Sequence, residues 1–530
     1  MTKTLDSTMD VTLHDCPNPQ NQETPTSYAS RLSSWYTERI GQNSTSQVFT
    51  PSIVAKFMAR KCIDSSRQMK VLDPGVGIGI LSSAIIEAFS EKHKSGSMII
   101  DAIDNDASVI PYSRKNLAYA TEWAAERGIS VTTSVLNQDF LEMGLFKRDE
   151  MQQELTPSED KKYDAIIMNP PYFKIASSDK RVEKIAEFAG KQSNIYSLFL
   201  SVALTNLKSG GKLVSINPRS FASGLYYQEF RKNFFDKIRL REVHLFNSRK
   251  DIFPEAGILQ ETLIIFIDTK KKSRIFQKVK ISSSQGIDDL HLFKSIKVPY
   301  HLSILHSDDL RLALPTTTED KKLLERINRW ENRLSTLDLE ISTGPVVPFR
   351  VEDLLLDKPL SDVKSIPLLW MNNISKMSIV WPQQNGKPEY FVDNDISTKY
   401  STPCERFVLL RRFSAKEDRR RLTAAVISDD LLQYQRIAIE NHVTFIHSES
   451  KGLEIDLANG LAGLLNSSSM DRYFRIINGN TQVNVYDIEL MPLPSKNQLK
   501  KIGNLYSNPN MDVSRRIEMI DSIIHKVVNI

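Results

Sequence analysis

At 530 residues the chain is too long for one ordinary core, so two domains of usual size with appended helices are expected. Its 41% hydrophobic and 25% charged residues are ordinary globular values. Its longest apolar runs, such as Leu263–Ile267, are strand-length and exclude a membrane-spanning helix. Cys16, Cys62 and Cys404 lie too far apart for a disulfide framework or a zinc site, no charged-then-apolar signal pattern opens the chain, and a cytoplasmic protein without a metal is expected.

The net charge of +5 says little, but its distribution says more. Residues 219–280 hold 14 Lys or Arg against 7 Asp or Glu, and residues 406–421 hold 7 against 2. Such clusters suit a phosphate backbone.

Residues 1–45 are mostly polar, with Tyr28, Leu32, Trp35 and Ile40 at helical spacing. Gln47-Val48-Phe49-Thr50-Pro51 follows, where Thr50 reads as an N-cap with Pro51 opening a helix over Ser52–Cys62. Val71-Leu72-Asp73-Pro74-Gly75-Val76-Gly77-Ile78-Gly79 is a hydrophobic strand entering a Gly-rich turn, and Leu81–Phe89 continues as a helix. No Gly-Lys-Ser/Thr follows, so the turn is not a phosphate loop. The next strand, Met98–Ile103, ends in Asp104-Asn105-Asp106, and a third, Val131–Leu136, ends in Asn137-Gln138-Asp139-Phe140. A carboxylate at the end of the second strand can accept both hydroxyls of a ribose; Asp104 is the better placed, with Asp106 read as a helix cap.

The short apolar run Asp164–Met168 leads into Asn169-Pro170-Pro171-Tyr172. Two prolines fix φ, remove two backbone donors and push the residues before them out of the helical region. The turn is therefore stiff and extended. It presents an Asn amide and a bare carbonyl that can accept from an exocyclic amino group. Lys212–Ile216, Val243–Phe246 and Leu263–Ile267 complete seven strand signals with helical stretches between several of them, which predicts a doubly wound, mainly parallel α/β sheet. After Lys280 the alternation fades and prolines punctuate short segments. A second, mixed α/β domain is expected over 299–530, ending in helical spacing at Ile517, Ile520, Ile523, Ile524 and Val527.

The Asp-Pro-Gly-x-Gly-x-Gly turn together with Asn-Pro-Pro-Tyr resembles the DNA adenine-N6 methyltransferases that depend on S-adenosyl-L-methionine. The order Thr-Pro, Gly-rich loop, Asn-Pro-Pro-Tyr and a large C-terminal region resembles their gamma class, found in type II restriction–modification systems. The resemblance spans residues 47–267. It implies a Rossmann-like, seven-stranded catalytic domain over 46–285 with the last strand antiparallel, and a DNA target-recognition domain over 299–530. It further implies that Thr50 contacts the methionine part of the cofactor, Asp73 receives its ammonium, Gly75 and Gly77 make room for it, and Asp104 takes its ribose. Asp139 and Phe140 then hold its adenine. Asn169 and Pro170 would accept the hydrogens of a target adenine flipped out of double-stranded DNA. Tyr172 and Phe253 would stack on its two faces, though Phe253 also reads as a core residue at a strand entrance. Asn217-Pro218-Arg219-Ser220-Phe221 would wall the DNA cleft. Segments around Gly460–Ser467, Tyr473–Asn484 and Met491–Pro494 resemble recognition domains of restriction–modification enzymes. A separate cognate endonuclease and a monomer on DNA are expected. Methylation of RNA or of a protein glutamine is the alternative, since some such enzymes share Asn-Pro-Pro-Tyr. Pro403-Cys404 is set aside as a cytosine-methylating nucleophile because it lies far from the cofactor motifs.

Overall fold

The computed structural model describes residues 13–40, 48–143, 161–248, 252, 261–269, 277–305, 309–414, 418–449, 451–507 and 513–528. The chain divides into two units, Met1–Ala222 with Tyr226–Leu312, and Ser223–Leu225 with Ala313–Ile530. The division falls at Leu312, and helix α1 (Pro25–Arg39) lies in the first unit.

The strands of the first unit are β1 (Gln68–Pro74), β2 (Gly96–Asp104), β3 (Ile129–Asn137), β4 (Tyr163–Met168), β5 (Leu207–Pro218), β6 (Arg239–Phe246), β7 (Thr262–Asp268), β8 (Lys278–Ser284) and β9 (Lys294–Pro299). They form one sheet in the order β3-β2-β1-β4-β5-β7-β6-β8-β9. The first five of that order run parallel. β7 is antiparallel to both its neighbours. β1 and β4 read as near-continuous apolar runs because helices cover both faces of a parallel sheet.

The sequence implied seven strands, and all seven coincide with β1–β7. The sheet continues beyond them, with β8 parallel to β6 and β9 antiparallel to β8. The polar sequence of β8 hides it. Its Ser282 and Ser284 are buried because the ring nitrogens of His244 on β6 bond them at 2.9 and 3.0 Å, and burial holds the His244 pKa down at about 4.

Helix α2 (Ser52–Cys62) and helix α3 (Ile80–Lys92) bury Val54, Met58, Leu81, Ile85 and Phe89 against β1, β2 and β4. On a second cluster, Tyr28, Leu32 and Tyr36 of α1 pack with Ile78, Val109 and Tyr112, the last on helix α4 (Ile110–Ala125). The chain reverses direction across the sheet between β1 and β4. A crevice opens at such a switch point, at the carboxyl ends of the strands.

The second unit holds a four-stranded antiparallel sheet over Glu340–Thr343, Val443–His447, Val408–Arg411 and Ala424–Val426, and a five-stranded mixed sheet centred on Ser365–Leu369. Helices Ile455–Leu465, Ser468–Ile477, Lys496–Tyr506 and Val513–Val528 close it. Gly460 and Gly503 let two of these touch backbone to backbone. A Cβ on Gly460 would fall 1.9 Å from the Leu499 carbonyl oxygen, and one on Gly503 would fall 1.8 Å from that of Asp456.

Candidate active site

Parallel pairing of β1 with β4, Leu72 opposite Ile166, brings the Gly-rich turn and Asn169-Pro170-Pro171-Tyr172 side by side. A Cβ on Gly75 would lie 3.8 Å from the Asn169 carbonyl oxygen. The two turns line a cavity of about 300 Å³. Thr50, Gly75, Gly77, Asp104, Asp139, Phe140, Asn169, Pro170 and Tyr172 all contribute to its wall. Nine of the eleven residues named for the site from sequence therefore meet in one place. Phe253 lies outside the described residues, and Asp73 sits behind the turn rather than in the wall.

The Asn169 amide is fixed from both ends. Its Nδ2 donates to the Val48 carbonyl and to Thr50 Oγ1, each at 3.1 Å, and its Oδ1 accepts from the Tyr172 hydroxyl at 2.8 Å. The Tyr172 hydroxyl also lies 3.0 Å from the Ile216 carbonyl, so its proton has two acceptors to choose between. Burial pushes the Tyr172 pKa well above the ordinary phenol value, so it stays a donor. Thr50 is buried and does not cap α2, whose N-cap is Pro51 with no side-chain bond; its hydroxyl serves Asn169 instead.

Asp73, next to the end of β1, is fully buried. Its Oδ2 accepts from the Ser82 amide at 3.1 Å and the Ser82 hydroxyl at 2.6 Å, while Oδ1 has no partner. Burial pushes its pKa up to about 7, against the pull of the Ser82 bonds. Asp104 accepts from the Gly77 amide at 2.8 Å and the Asp106 amide at 3.0 Å, so it shapes the Gly-rich turn as well as facing the cavity. Burial raises its pKa too. Gly77 has φ +53°, and a Cβ there would press on the Phe49 ring at 3.2 Å. Asp106 accepts from the Ser108 amide and hydroxyl at 2.9 and 2.6 Å, so it holds the turn before α4 and is not the helix cap expected, that place being taken by Val109 without a side-chain bond.

At the far end, Asp139 accepts from the Leu141 amide at 2.8 Å and from Arg181 Nη1 at 2.7 Å. Phe140 is buried against Phe199, ring centroids 5.1 Å apart.

Several contributors were not singled out from sequence. Phe199 lies on helix α6 (Ile195–Thr205), whose apolar run reads only as core. Ser82 looks like any helix residue until Asp73 is seen above it. Tyr36 of α1 backs the wall residue Phe49, meeting its ring edge-on at 5.9 Å and bonding Ser108 Oγ at 2.7 Å. Arg181 had one available signal, the Asp-x-Arg start of a helix shortly after the Asn-Pro-Pro-Tyr turn.

The basic stretch 406–421 is less free than its composition suggested. Arg406 pairs with Asp429, Arg411 donates to the Ile374 carbonyl, Arg412 to that of Asn441 and Arg420 to that of Asn466. Arg421 is buried and bonds Ser414 Oγ. Among the described residues no helix is long and apolar enough to cross a membrane.

Residues 87–253 match the Eco57I restriction-modification methylase family. The chain is 31% identical to the type II methyltransferase M.BsuBI of Bacillus subtilis, over 86% of this chain and 89% of that protein. It is also 31% identical to the type II methyltransferase M.PstI of Providencia stuartii, over 86% of this chain and 88% of that protein. The structure of the type IIL restriction-modification enzyme MmeI in complex with DNA shares the fold at a TM-score of 0.50 and 12% identity, covering 90% of this chain and 71% of that one.

Proposed function

This chain belongs to the type II methyltransferase family, and we propose that it methylates the N6 nitrogen of one adenine within a short DNA sequence, as the modification half of a restriction–modification system. The observation that carries this reading is the anchored amide of Asn169, whose Oδ1 shares one cavity with the Gly-rich turn, Asp104 and Asp139. An adenine amino nitrogen is a weak nucleophile because its lone pair is delocalised into the ring. Asn169 Oδ1 and the Pro170 carbonyl would accept its two hydrogens, draw the nitrogen toward tetrahedral geometry and aim the lone pair. The Tyr172 hydroxyl can turn from Asn169 to the Ile216 carbonyl as Oδ1 takes up the amino hydrogen. Donors and acceptors fixed before the reaction need no reorganisation during it.

The chain's residues fit S-adenosylmethionine, which when bound supplies an electrophilic methyl group on sulfur. We assign the ammonium to Asp73, which lies behind the Gly-rich turn with its buried Oδ1 unpartnered, since an unpaired buried carboxylate oxygen is costly. Gly75 and Gly77 leave room beside it, Thr50 borders the methionine side, Asp104 suits the ribose, and Asp139 with Phe140 suits the adenine. Flipping the target base costs a few kcal/mol. An aromatic wall returns about 1–3 kcal/mol per base. We assign Tyr172 to one face and, from sequence, Phe253 to the other.

We assign catalysis to the first unit and choice of DNA sequence to the second. Since one chain carries both, a monomer working in the cytoplasm beside a separate cognate endonuclease suffices. The test is transfer of a tritiated methyl group to duplex DNA, RNA or protein. Label in duplex DNA, lost about 10²-fold or more in Asn169→Ala with cofactor affinity kept, is expected. Label in RNA or protein alone, or transfer by Asn169→Ala within a few-fold of wild type, would overturn the reading.

A further inference from the structure

Asp139 is held from two sides. The Leu141 amide takes Oδ1 at 2.8 Å, and Arg181 Nη1 takes Oδ2 at 2.7 Å. Arg181 is itself held. It is the second residue of helix α5 (Lys180–Ala189), whose N-cap is Asp179. Asp179 Oδ1 accepts from the Arg181 amide at 2.9 Å and from Nε at 3.0 Å, and Asp179 Oδ2 accepts from Nη2 at 2.7 Å. One face of the fork is thus spent on the cap, which leaves Nη1 aimed at Asp139. The segment between the Asn169 turn and α5 is pinned as well. Ile195 donates to the Phe173 carbonyl at 3.0 Å, Ile175 to that of Ser193 at 2.9 Å and Asp179 to that of Ala176 at 3.0 Å. The guanidinium therefore stands on a fixed base. A part-exposed ion pair contributes little to stability. Arg181 and Asp139 side chains are 24% and 20% exposed, so what the contact supplies is orientation.

We propose that Arg181 is a positioning residue that fixes the Asp139 carboxylate as an acceptor and so makes the cofactor site prefer adenine over a ring with a carbonyl at the same place. This rests on the reading of Asp139 as the acceptor for the cofactor's adenine amino group. Each carboxylate oxygen already takes one donor and keeps a lone pair for another. An amino group satisfies that lone pair. A carbonyl in its place, as in hypoxanthine, sets oxygen against carboxylate. The discrimination needs a carboxylate that cannot turn, and Arg181 secures it by holding Oδ2 while the Leu141 amide holds Oδ1. Without Arg181 the carboxylate can rotate away from the amino group.

The test is calorimetric titration of the full chain with S-adenosylhomocysteine and with its analogue carrying hypoxanthine. Wild type should bind the adenine form about tenfold or more tightly. Arg181→Ala should shrink that ratio at least about threefold, chiefly by weakening the adenine form. Arg181→Lys, which keeps the charge without the fork, should fall between. If Arg181→Ala does not fold, Asp179→Asn, which releases the fork but leaves the guanidinium, should shrink the ratio in its place. An unchanged ratio in Arg181→Ala, even with a lowered melting temperature, overturns the proposal and makes Arg181 a structural tie. An unchanged ratio in Arg181→Ala beside a lost ratio in Asp139→Asn overturns the proposal alone. A wild type that does not distinguish the ligands overturns the reading of Asp139 and the proposal with it.

Discussion

On the proposed reading, Asn169 and Asp73 are set for an amino group and an ammonium that arrive only with the ligands. Asn169 is clamped by Val48, Thr50 and Tyr172, so its amide does not have to find its orientation when a base enters. Asp73 is left one hydrogen bond short, with a pKa pushed up to about 7 by burial and, to a smaller extent, by the charge of Asp104. An unfolded Asp titrates near about 3.9. The folded protein therefore binds the extra proton between those values. The stability this confers is complete below about pH 4 and is lost as the pH rises through about 7. An ammonium at Oδ1 favours the ionised form and reverses the preference. We expect S-adenosylhomocysteine to bind more tightly as the pH rises from about 5.5 to about 7.5, with proton release on the acid side. In Asp73→Asn, binding should be weaker and that slope should vanish. Titration calorimetry in buffers of differing ionisation enthalpy measures both. A wild-type affinity flat across this range would place the ammonium elsewhere.

Among the elements, legibility followed how locally each is specified. β1–β7 and α2 are written in short apolar runs bounded by Gly, Pro and Asp, and sequence reading finds them. β8 is not, because its only apolar residues are Val279 and Ile281, and its buried Ser282 and Ser284 are satisfied by His244, some 40 residues earlier. The Gly-rich turn and the Asn169 turn are visible as motifs, but that Thr50 serves Asn169 rather than α2 depends on a contact between residues 119 apart. Arg181 likewise depends on a contact with Asp139, 42 residues earlier, whereas Ser82 meets Asp73 only nine residues away but within a helix that reads as plain core. The helices around Gly460 depend on closeness that no periodicity reports. There a Cβ would sit 1.9 Å from a backbone oxygen that no side-chain rotation can clear. Gly460→Ala gains about 1 kcal/mol of helix propensity. Overpacking at this depth should cost about 3 kcal/mol, the upper end for such changes. The second unit of Gly460→Ala should therefore melt several degrees lower in a thermal scan. A raised or unchanged melting temperature would mean the two helices part without loss.

At the scale of the molecule, the first unit contains the whole set of groups assigned to cofactor and amino-group chemistry, and the second contains none of them. The arginines of residues 406–421 mostly bind their own unit. If the second unit chooses the sequence, as proposed, other side chains would distinguish base edges in the major groove, at about 1–3 kcal/mol per good pair. The central claim is that this chain modifies adenine at one DNA sequence through Asn169. The most direct measurement is to express the full chain in a host without DNA methylation and map modified bases across its DNA by sequencing. The account predicts N6-methyladenine at nearly every copy of one short sequence, and none when Asn169→Ala is expressed to the same level. Methylated cytosine, unmodified DNA, or adenine marks that persist in Asn169→Ala would contradict it.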